Sequence, residues 1–311
     1  MDVSTKRRPE RKSSAAPGAD RSSILLPSLL AAGDGSRETR NFSVTSVDKG
    51  VSRARPDTIA VEEPLEIRLL FHKNGELVDQ SISITMRTPG NDLELALGFL
   101  FTESIIDSYD QIESAAPATA RPECNVVRVQ LKPDTRFDPK LLQRNFYTTS
   151  SCGVCAKTSL EALRVSGVSR IESNSFRVSA DVVRSLPGKL RRAQSVFAST
   201  GGLHAAGLFG PRGKLLLVRE DVGRHNALDK LVGEQLSAGQ APVTAKILLV
   251  SGRTSFEIVQ KTLRLGAPIL AAVSAPSSLA IQLAQEFGLT LLGFVRGSRF
   301  NIYSWTERIR L

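Results

Sequence analysis

Aromatic residues make up only 5% of this 311-residue chain, and there is a single Trp. Any core must therefore be built mainly from Leu, Val, Ile and Ala. Cysteine is equally scarce, with Cys124, Cys152 and Cys155 as the full set. A small odd number argues against the disulfide framework of a secreted mini-domain. No apolar run is long enough to cross a bilayer. The run ILLPSLLAA at 24–32 follows a basic stretch and faintly resembles a signal peptide, but it is short and broken by Pro27 and Ser28. A cytoplasmic protein with no membrane partner is the better expectation. Acidic charge is also in deficit, with 31 Asp and Glu against 41 Lys and Arg, a formal net charge of +10. Such a surplus suits either a soluble basic surface or an anionic partner. Residues 1–40 hold eight basic against five acidic side chains, so most of the surplus lies further along.

What is present sorts into three regions. Residues 1–45, rich in Arg, Lys, Ser, Ala and Gly, have the composition of a disordered basic tail. Residues 46–145 predict a small α+β region, with order beginning near Arg55. Strands are expected at 64–71 and 81–87 around an Asn74-Gly75 turn. Thr88-Pro89-Gly90-Asn91 then breaks the chain. A helix is expected from Asp92, with Leu93, Ala96, Leu97 and Leu100 on one face, and a further strand at 125–131. Residues 146–311 predict a helix at 157–164, strands at 194–199 and 214–219, and a helix over His225–Leu231 stopped at Gly233. Strands at 245–250, 268–273 and 290–295 then alternate with helices at 256–265 and 279–287. This pattern predicts an α/β fold with a mostly parallel sheet flanked by helices, whose ligands sit at the carboxyl ends of the strands.

Four segments carry chemistry. Cys152-Gly153-Val154-Cys155 places two thiols three positions apart behind a hydroxyl-rich run, with Lys157 close by to favour a thiolate. Cys152 and Cys155 suit redox or sulfur chemistry, half of a metal site, or two packed thiols. Gly201-Gly202-Leu203-His204 is a glycine-rich turn with an imidazole that can move a proton. Arg219-Glu220-Asp221-Val222-Gly223-Arg224-His225-Asn226-Ala227-Leu228-Asp229-Lys230 packs charges, an imidazole and an amide around a helix start. Asp221 is a candidate cap there, which leaves His225 and Asn226 unexplained. Finally, Ser251-Gly252-Arg253-Thr254-Ser255, with Arg296 and Arg299, puts guanidinium groups and a helix start at strand ends. That combination suits phosphate oxygens.

Thr88-Pro89-Gly90-Asn91-Asp92-Leu93, Cys152-Gly153-Val154-Cys155, Asp221-Val222-Gly223-Arg224-His225-Asn226-Ala227 and Ser251-Gly252-Arg253 together resemble the formate dehydrogenase accessory sulfurtransferase family, FdhD. The resemblance runs from about residue 45 to residue 309. It implies a sulfur carrier, loaded as a persulfide by a cysteine desulfurase. The acceptor would be the molybdenum bis(guanine dinucleotide) cofactor, bound as substrate before it enters formate dehydrogenase. It further implies a cytidine-deaminase-like fold, a homodimer, and no tightly bound metal of the protein's own. Cys152 would carry the sulfur and Cys155 would assist. The family's cofactor-binding segment falls on Phe294, Val295, Arg296, Gly297, Ser298 and Arg299. Some relatives carry a cysteine and a proline in this segment, where this chain has Val295 and Gly297 or Ser298.

Three rival readings remain. A zinc hydrolase of the deaminase type needs a Glu near its metal-binding His, and His204-Ala205-Ala206 lacks one. A chaperone that only shelters the cofactor would use the same loops without the thiols. A nucleic-acid binder is disfavoured because the basic tail lacks aromatics for stacking.

Overall fold

In the computed structural model the described residues are 1, 37–118, 125–135, 168–172 and 176–311. All elements below belong to the unit Asp34–Leu311. Cys124, Cys152, Cys155 and the helix expected at 157–164 lie outside the described residues, as do residues 2–36.

The first element falls where a disordered tail was expected. Strand β1 (Thr39–Asp48) turns through Lys49 and Gly50, both at positive φ, into β2 (Val51–Ala60). Order therefore starts before Arg55. Thr, Ser and Val at alternating places, and a two-residue turn with left-handed geometry, make this hairpin.

A four-stranded sheet follows, in the order β4-β3-β6-β5. Strand β3 (Glu63–Lys73) alternates by two, burying Leu65, Ile67, Leu69 and Phe71. Asn74 and Gly75, again at positive φ, turn it into β4 (Glu76–Arg87). Helix α1 (Asp92–Thr102) lies between this hairpin and strands β5 (Ile112–Pro117) and β6 (Val126–Leu131).

The second sheet has six strands, in the order β13-β12-β11-β10-β8-β9. Two short strands, β7 (Val178–Ser179) and β14 (Ile309–Arg310), pair separately. The large sheet comprises β8 (His204–Phe209), β9 (Leu215–Asp221), β10 (Ile247–Val250), β11 (Ile269–Ala272), β12 (Thr290–Arg296) and β13 (Arg299–Ser304). Only β10–β11 and β11–β12 are parallel. The pairs β10–β8, β8–β9 and β12–β13 are antiparallel. The sheet is thus mixed and not mostly parallel. The β-α-β-α-β run was legible because its helices buffer each strand. The antiparallel flanks come from hairpins at either side, and neither β13 nor β8, which begins inside the expected glycine-rich turn, was foreseen.

Helices cover both faces. Helix α2 (Ala180–Ala193) packs Val183, Leu186 and Leu190 against Ala205, Phe209, Ile247, Leu249, Ile269, Ala271, Leu292 and Val295. On the other face, Ala206, Leu208, Leu248, Val250, Leu270 and Leu291 join helices α4 (Arg224–Ser237), α5 (Phe256–Leu265) and α6 (Ser278–Glu286). That second cluster also contains Leu65, Ile67 and Leu100, so one core runs from the small sheet to the large one.

Two local expectations fail for physical reasons. The stretch expected as a strand at 194–199 is helix α3 (Ser195–Thr200). Both carboxylate oxygens of Glu220 accept from its first amides, Val196 N at 3.1 Å and Phe197 N at 2.9 Å. A short apolar run cannot reveal such a distant cap. Helix α4 does not stop at Gly233 but runs on to Ser237. There, Gly233 faces Gly98 of α1, and a Cβ on either would lie 1.8 Å from a backbone oxygen of the other helix. The glycine serves a close helix crossing instead of an end.

Candidate functional site

The strand directions define one edge of the large sheet. The carboxyl ends of β9, β10, β11 and β12 reach it, as does the amino end of the antiparallel β8. Helices α4, α5 and α6 begin there, just after those strands. Their N-termini carry partial positive charge at the same edge. Ser277 caps α6 by accepting from Ala280 N at 3.3 Å. Gly223 and Ser255, the corresponding residues of α4 and α5, make no side-chain cap. Both of these helices therefore point uncapped amide groups at the edge.

The two motif segments around residues 88 and 221 fold onto one another here. Asp221 is fully buried and accepts from Thr88 N at 3.1 Å, Gly223 N at 2.8 Å and the Asn226 amide at 3.1 Å. It also pairs with buried Lys230 at 2.8 Å. Lys230 in turn donates to Thr88 O at 2.8 Å, and Val222 N donates to Thr88 Oγ1 at 3.2 Å. Asn226 donates to Met86 O at 2.8 Å and accepts from Thr85 Oγ1 at 3.2 Å. Asp221 and Asn226 thus clamp the start of α4 to the end of β4. Asp221 is not the N-cap of α4, and Asn226 turns its amide inward. A carboxylate with four donors is well satisfied in low dielectric, and it fixes where Arg224 and His225 emerge.

Arg224 is exposed and His225 is partly buried. His225 Nε2 lies 3.4 Å from Ser255 Oγ at the start of α5. Burial, with help from Arg224 and Lys261, lowers the imidazole to about 4, so it is neutral at pH 7. His204 opens β8 opposite Asp221. Burial and Arg224 lower its pKa as well, while Asp221 opposes them. A Cβ on Gly252 would stand 3.3 Å from His204 Nδ1, so glycine at 252 makes room for the ring. Ser251 Oγ accepts from Ala205 N at 2.9 Å, tying the end of β10 to β8. Two neutral imidazoles can accept or donate a hydrogen bond, or take up a proton, without adding fixed charge.

The cationic side chains lie outside these. Arg253, Arg296 and Arg299 are exposed. Arg296 Nε donates to Val273 O at 2.8 Å, and its guanidinium stands 5.9 Å from the Phe294 ring centroid. Phe294 is 37% exposed and has a left-handed φ of 52°. Its N–H donates to Ser274 O at 3.1 Å. Gly297 at φ 55° and Ser298 form the turn between β12 and β13. Val295 is different. It is fully buried in the core beneath α2, so it offers the edge only backbone. The left-handed Phe294 and the register shift between Gly293 and Arg296 break the strand alternation here, so Val295 buries in the same cluster as Leu292 while Phe294 and Arg296 stay exposed.

A groove of about 670 Å³ opens along this edge, lined by Arg191, Phe197, Gly202, His204, Ser251 and Val273. The Arg191 guanidinium stacks 3.8 Å from the Phe197 ring centroid. A second cavity of about 440 Å³, lined by Arg170, Glu172, Pro242 and Thr244 among others, lies at the amino ends of the strands. It contains none of the residues singled out from the sequence. Thr254, Lys230 and Thr88 stood within the motif segments, but no individual role was assigned to them. Thr254 is 1% exposed and its Oγ1 has no hydrogen-bond partner. Only its place between Arg253 and a helix start could have drawn attention to it. Among the described residues no group of three or more His, Cys, Asp or Glu side chains is placed to hold a metal ion. Nor is any described helix long and apolar enough to cross a membrane.

This chain matches known proteins over most of its length. The model of the FdhD/NarQ family matches residues 60–310. A sulfur carrier protein FdhD from Streptomyces avermitilis is 48% identical over 281 residues, covering 88% of this chain and 97% of the relative. One of the same name from the archaeon Saccharolobus solfataricus is 43% identical over 270 residues, covering 87% and 98%. Among solved structures, a protein from Desulfotalea psychrophila described as a candidate formate dehydrogenase accessory protein superposes with a TM-score of 0.67. It is 25% identical and covers 88% of this chain and 100% of its own.

Proposed function

Because the chain belongs to the FdhD/NarQ family, we propose that it is a sulfur carrier serving formate dehydrogenase, with Cys152 as the carrier thiol. A cysteine desulfurase is the donor and the molybdenum bis(guanine dinucleotide) cofactor is the acceptor. In loading, the Cys152 thiolate attacks the outer sulfur of the donor's persulfide. One S–S bond breaks, another forms, and the donor's cysteine leaves as thiolate. In delivery, the Cys155 thiolate attacks Cys152 Sγ and expels the outer sulfur as sulfide onto the metal. The two electrons come from the pair, which is left as a disulfide for a dithiol to reset. A cytoplasmic setting, where thiols stay reduced, suits this cycle.

The observation that carries the acceptor half is the sheet edge. Two uncapped helix starts and four exposed guanidinium groups (Arg224, Arg253, Arg296 and Arg299) converge there beside a groove. A bis-dinucleotide carries four phosphates, which call for such donors. His204 and His225 line the cofactor side as neutral hydrogen-bonding groups. Support for the donor half is the thiol pair itself and the sulfur-carrier name shared by relatives.

The test is formate dehydrogenase activity in cells that carry Cys152→Ala or Cys155→Ala in place of the native chain. Loss of most activity with Cys152→Ala, at normal protein level, is the expected outcome. Full activity in both variants would favour a chaperone that shelters the cofactor without carrying sulfur.

A further inference from the structure

The β1–β2 hairpin is left unused by sulfur transfer. It forms a sheet of its own, and neither strand pairs with a third among the described residues. Phe42, Val47, Val51 and Ile59 on it are 44%, 67%, 54% and 40% exposed. A free-standing two-stranded hairpin is marginal in water, and an open edge is a template for another strand.

The two edges are not equivalent. The Lys49-Gly50 turn closes on the pair Asp48–Val51. By alternation, Ser46–Arg53, Val44–Arg55 and Phe42–Asp57 then spend their backbone groups inside the hairpin. The outward groups of β2 belong to Ser52, Ala54, Pro56 and Thr58, and Pro56 has no N–H to offer. Those of β1 belong to Asn41, Ser43, Thr45 and Val47, each with an amide. The root of β2 also lies against the body, since a Cβ on Gly202 would stand 3.8 Å from that of Ala60. The open edge is therefore β1.

Strand β1 is self-complementary about Val44. Laid antiparallel on a second copy with Val44 opposite Val44, it brings Arg40 opposite Asp48 at both ends. Phe42 then falls opposite Ser46 and diagonal to Val44 of the second copy, on one face. Arg40 now pairs with Glu63 at 3.0 Å, but Arg40 is 55% exposed there, so that pair is weak and exchangeable. We propose that two copies of this chain associate through their β1 edges in this register, forming a continuous sheet in the order β2-β1-β1-β2. The expected homodimer thereby acquires a defined surface. The inference stands whether or not Cys152 carries sulfur, because it uses none of the residues of the sheet-edge site.

Sedimentation of the full chain tests it. The native chain should be a dimer, and Thr45→Pro, which removes one outward amide as Pro56 does, should raise the dissociation constant at least tenfold. Arg40→Asp should weaken the dimer, and Arg40→Asp combined with Asp48→Arg should restore it, so a folding defect is told apart from a lost contact. Val44→Cys should oxidise to an intermolecular link between the two 44 positions, read as a cross-linked peptide. A monomeric native chain, a dimer untouched by Thr45→Pro, or a Val44→Cys variant that never links to itself would overturn the proposal.

Discussion

His225 shows how a single side chain at this edge couples to the whole. Burial lowers it to about 4 from an ordinary value near 6.5, so the fold holds it neutral. The groups facing it are Arg224 on its own helix, Lys261 and Glu257 of α5, and Glu103 after α1. A depressed pKa means that the unfolded chain takes up the proton first as pH falls. The stability that neutral His225 contributes is complete above about pH 6.5 and is lost progressively toward pH 4. Its size is on the order of 2 kcal/mol, allowing for partial solvation of the ring. Urea unfolding at pH 7 and pH 4.5 should show a smaller drop for His225→Asn than for the native chain. An equal drop in both would assign the acid sensitivity to other groups. Residue types at this scale were readable from the sequence, since His204, His225, Arg253, Arg296 and Arg299 do come to one edge. Direction was not. Asn226 and Asp221 look like site residues in the sequence, yet they turn inward, because their partners Thr85, Met86 and Thr88 lie more than 130 positions away. The burial of Val295 was not readable either, because the left-handed Phe294 interrupts the alternation that counting from Leu292 would assume.

Among the elements, the crossing of α1 and α4 holds the two sheets in register. Gly98 and Gly233 let the backbones touch, and a polar cluster sits beside them. Asp229 of α4 accepts from Lys261 of α5 at 3.0 Å and from Thr102 Oγ1 of α1 at 2.8 Å. Burial raises the Asp229 carboxyl to about 6 even though Lys261 opposes it. For Lys261, the attraction of Asp229 and Glu103 outweighs burial and keeps the ammonium charged. Gly98→Ala has no room, with a backbone oxygen 1.8 Å from the new carbon, and should cost about 3 kcal/mol or more. In contrast, the exposed Gly188 in α2 has only the tip of Arg192 at 3.6 Å. Gly188→Ala should raise stability by about 0.5–1 kcal/mol, because alanine is the better helix former. Chemical denaturation of both variants checks the contrast, and a tolerated Gly98→Ala would refute the close crossing. A lone glycine in a helical pattern reads as a stop, and only the facing glycine of another helix gives it a different meaning. Strand β1 was hidden for a similar reason, since its Ser- and Thr-rich stretch adjoins a basic tail of like composition. The alternation from residue 245 onward was legible because β10 and β11 are fully apolar, β12 is apolar between its end residues, and each helix ends in glycine or begins with serine.

Across the whole molecule, the sheet edge organises the account. Strands from a mixed sheet, and three helix starts that follow them, bring cationic and neutral polar groups to one side. The opposite ends of the same strands carry the cavity by Pro242 and Arg170, away from those groups. A mixed sheet serves as well as a parallel one, because β8 and β9 add His204 and Asp221 to the edge that β10, β11 and β12 define. In the proposed function the anionic acceptor binds at this edge and the sulfur arrives on Cys152. Incubating the purified chain with a cysteine desulfurase and cysteine, then weighing its peptides, tests that claim most directly. The account predicts a gain of about 32 Da, one sulfur atom, on the peptide bearing Cys152, removed by a dithiol and missing in Cys152→Ala. A peptide that stays unmodified while the desulfurase turns over, or a gain confined to Cys124, would contradict it.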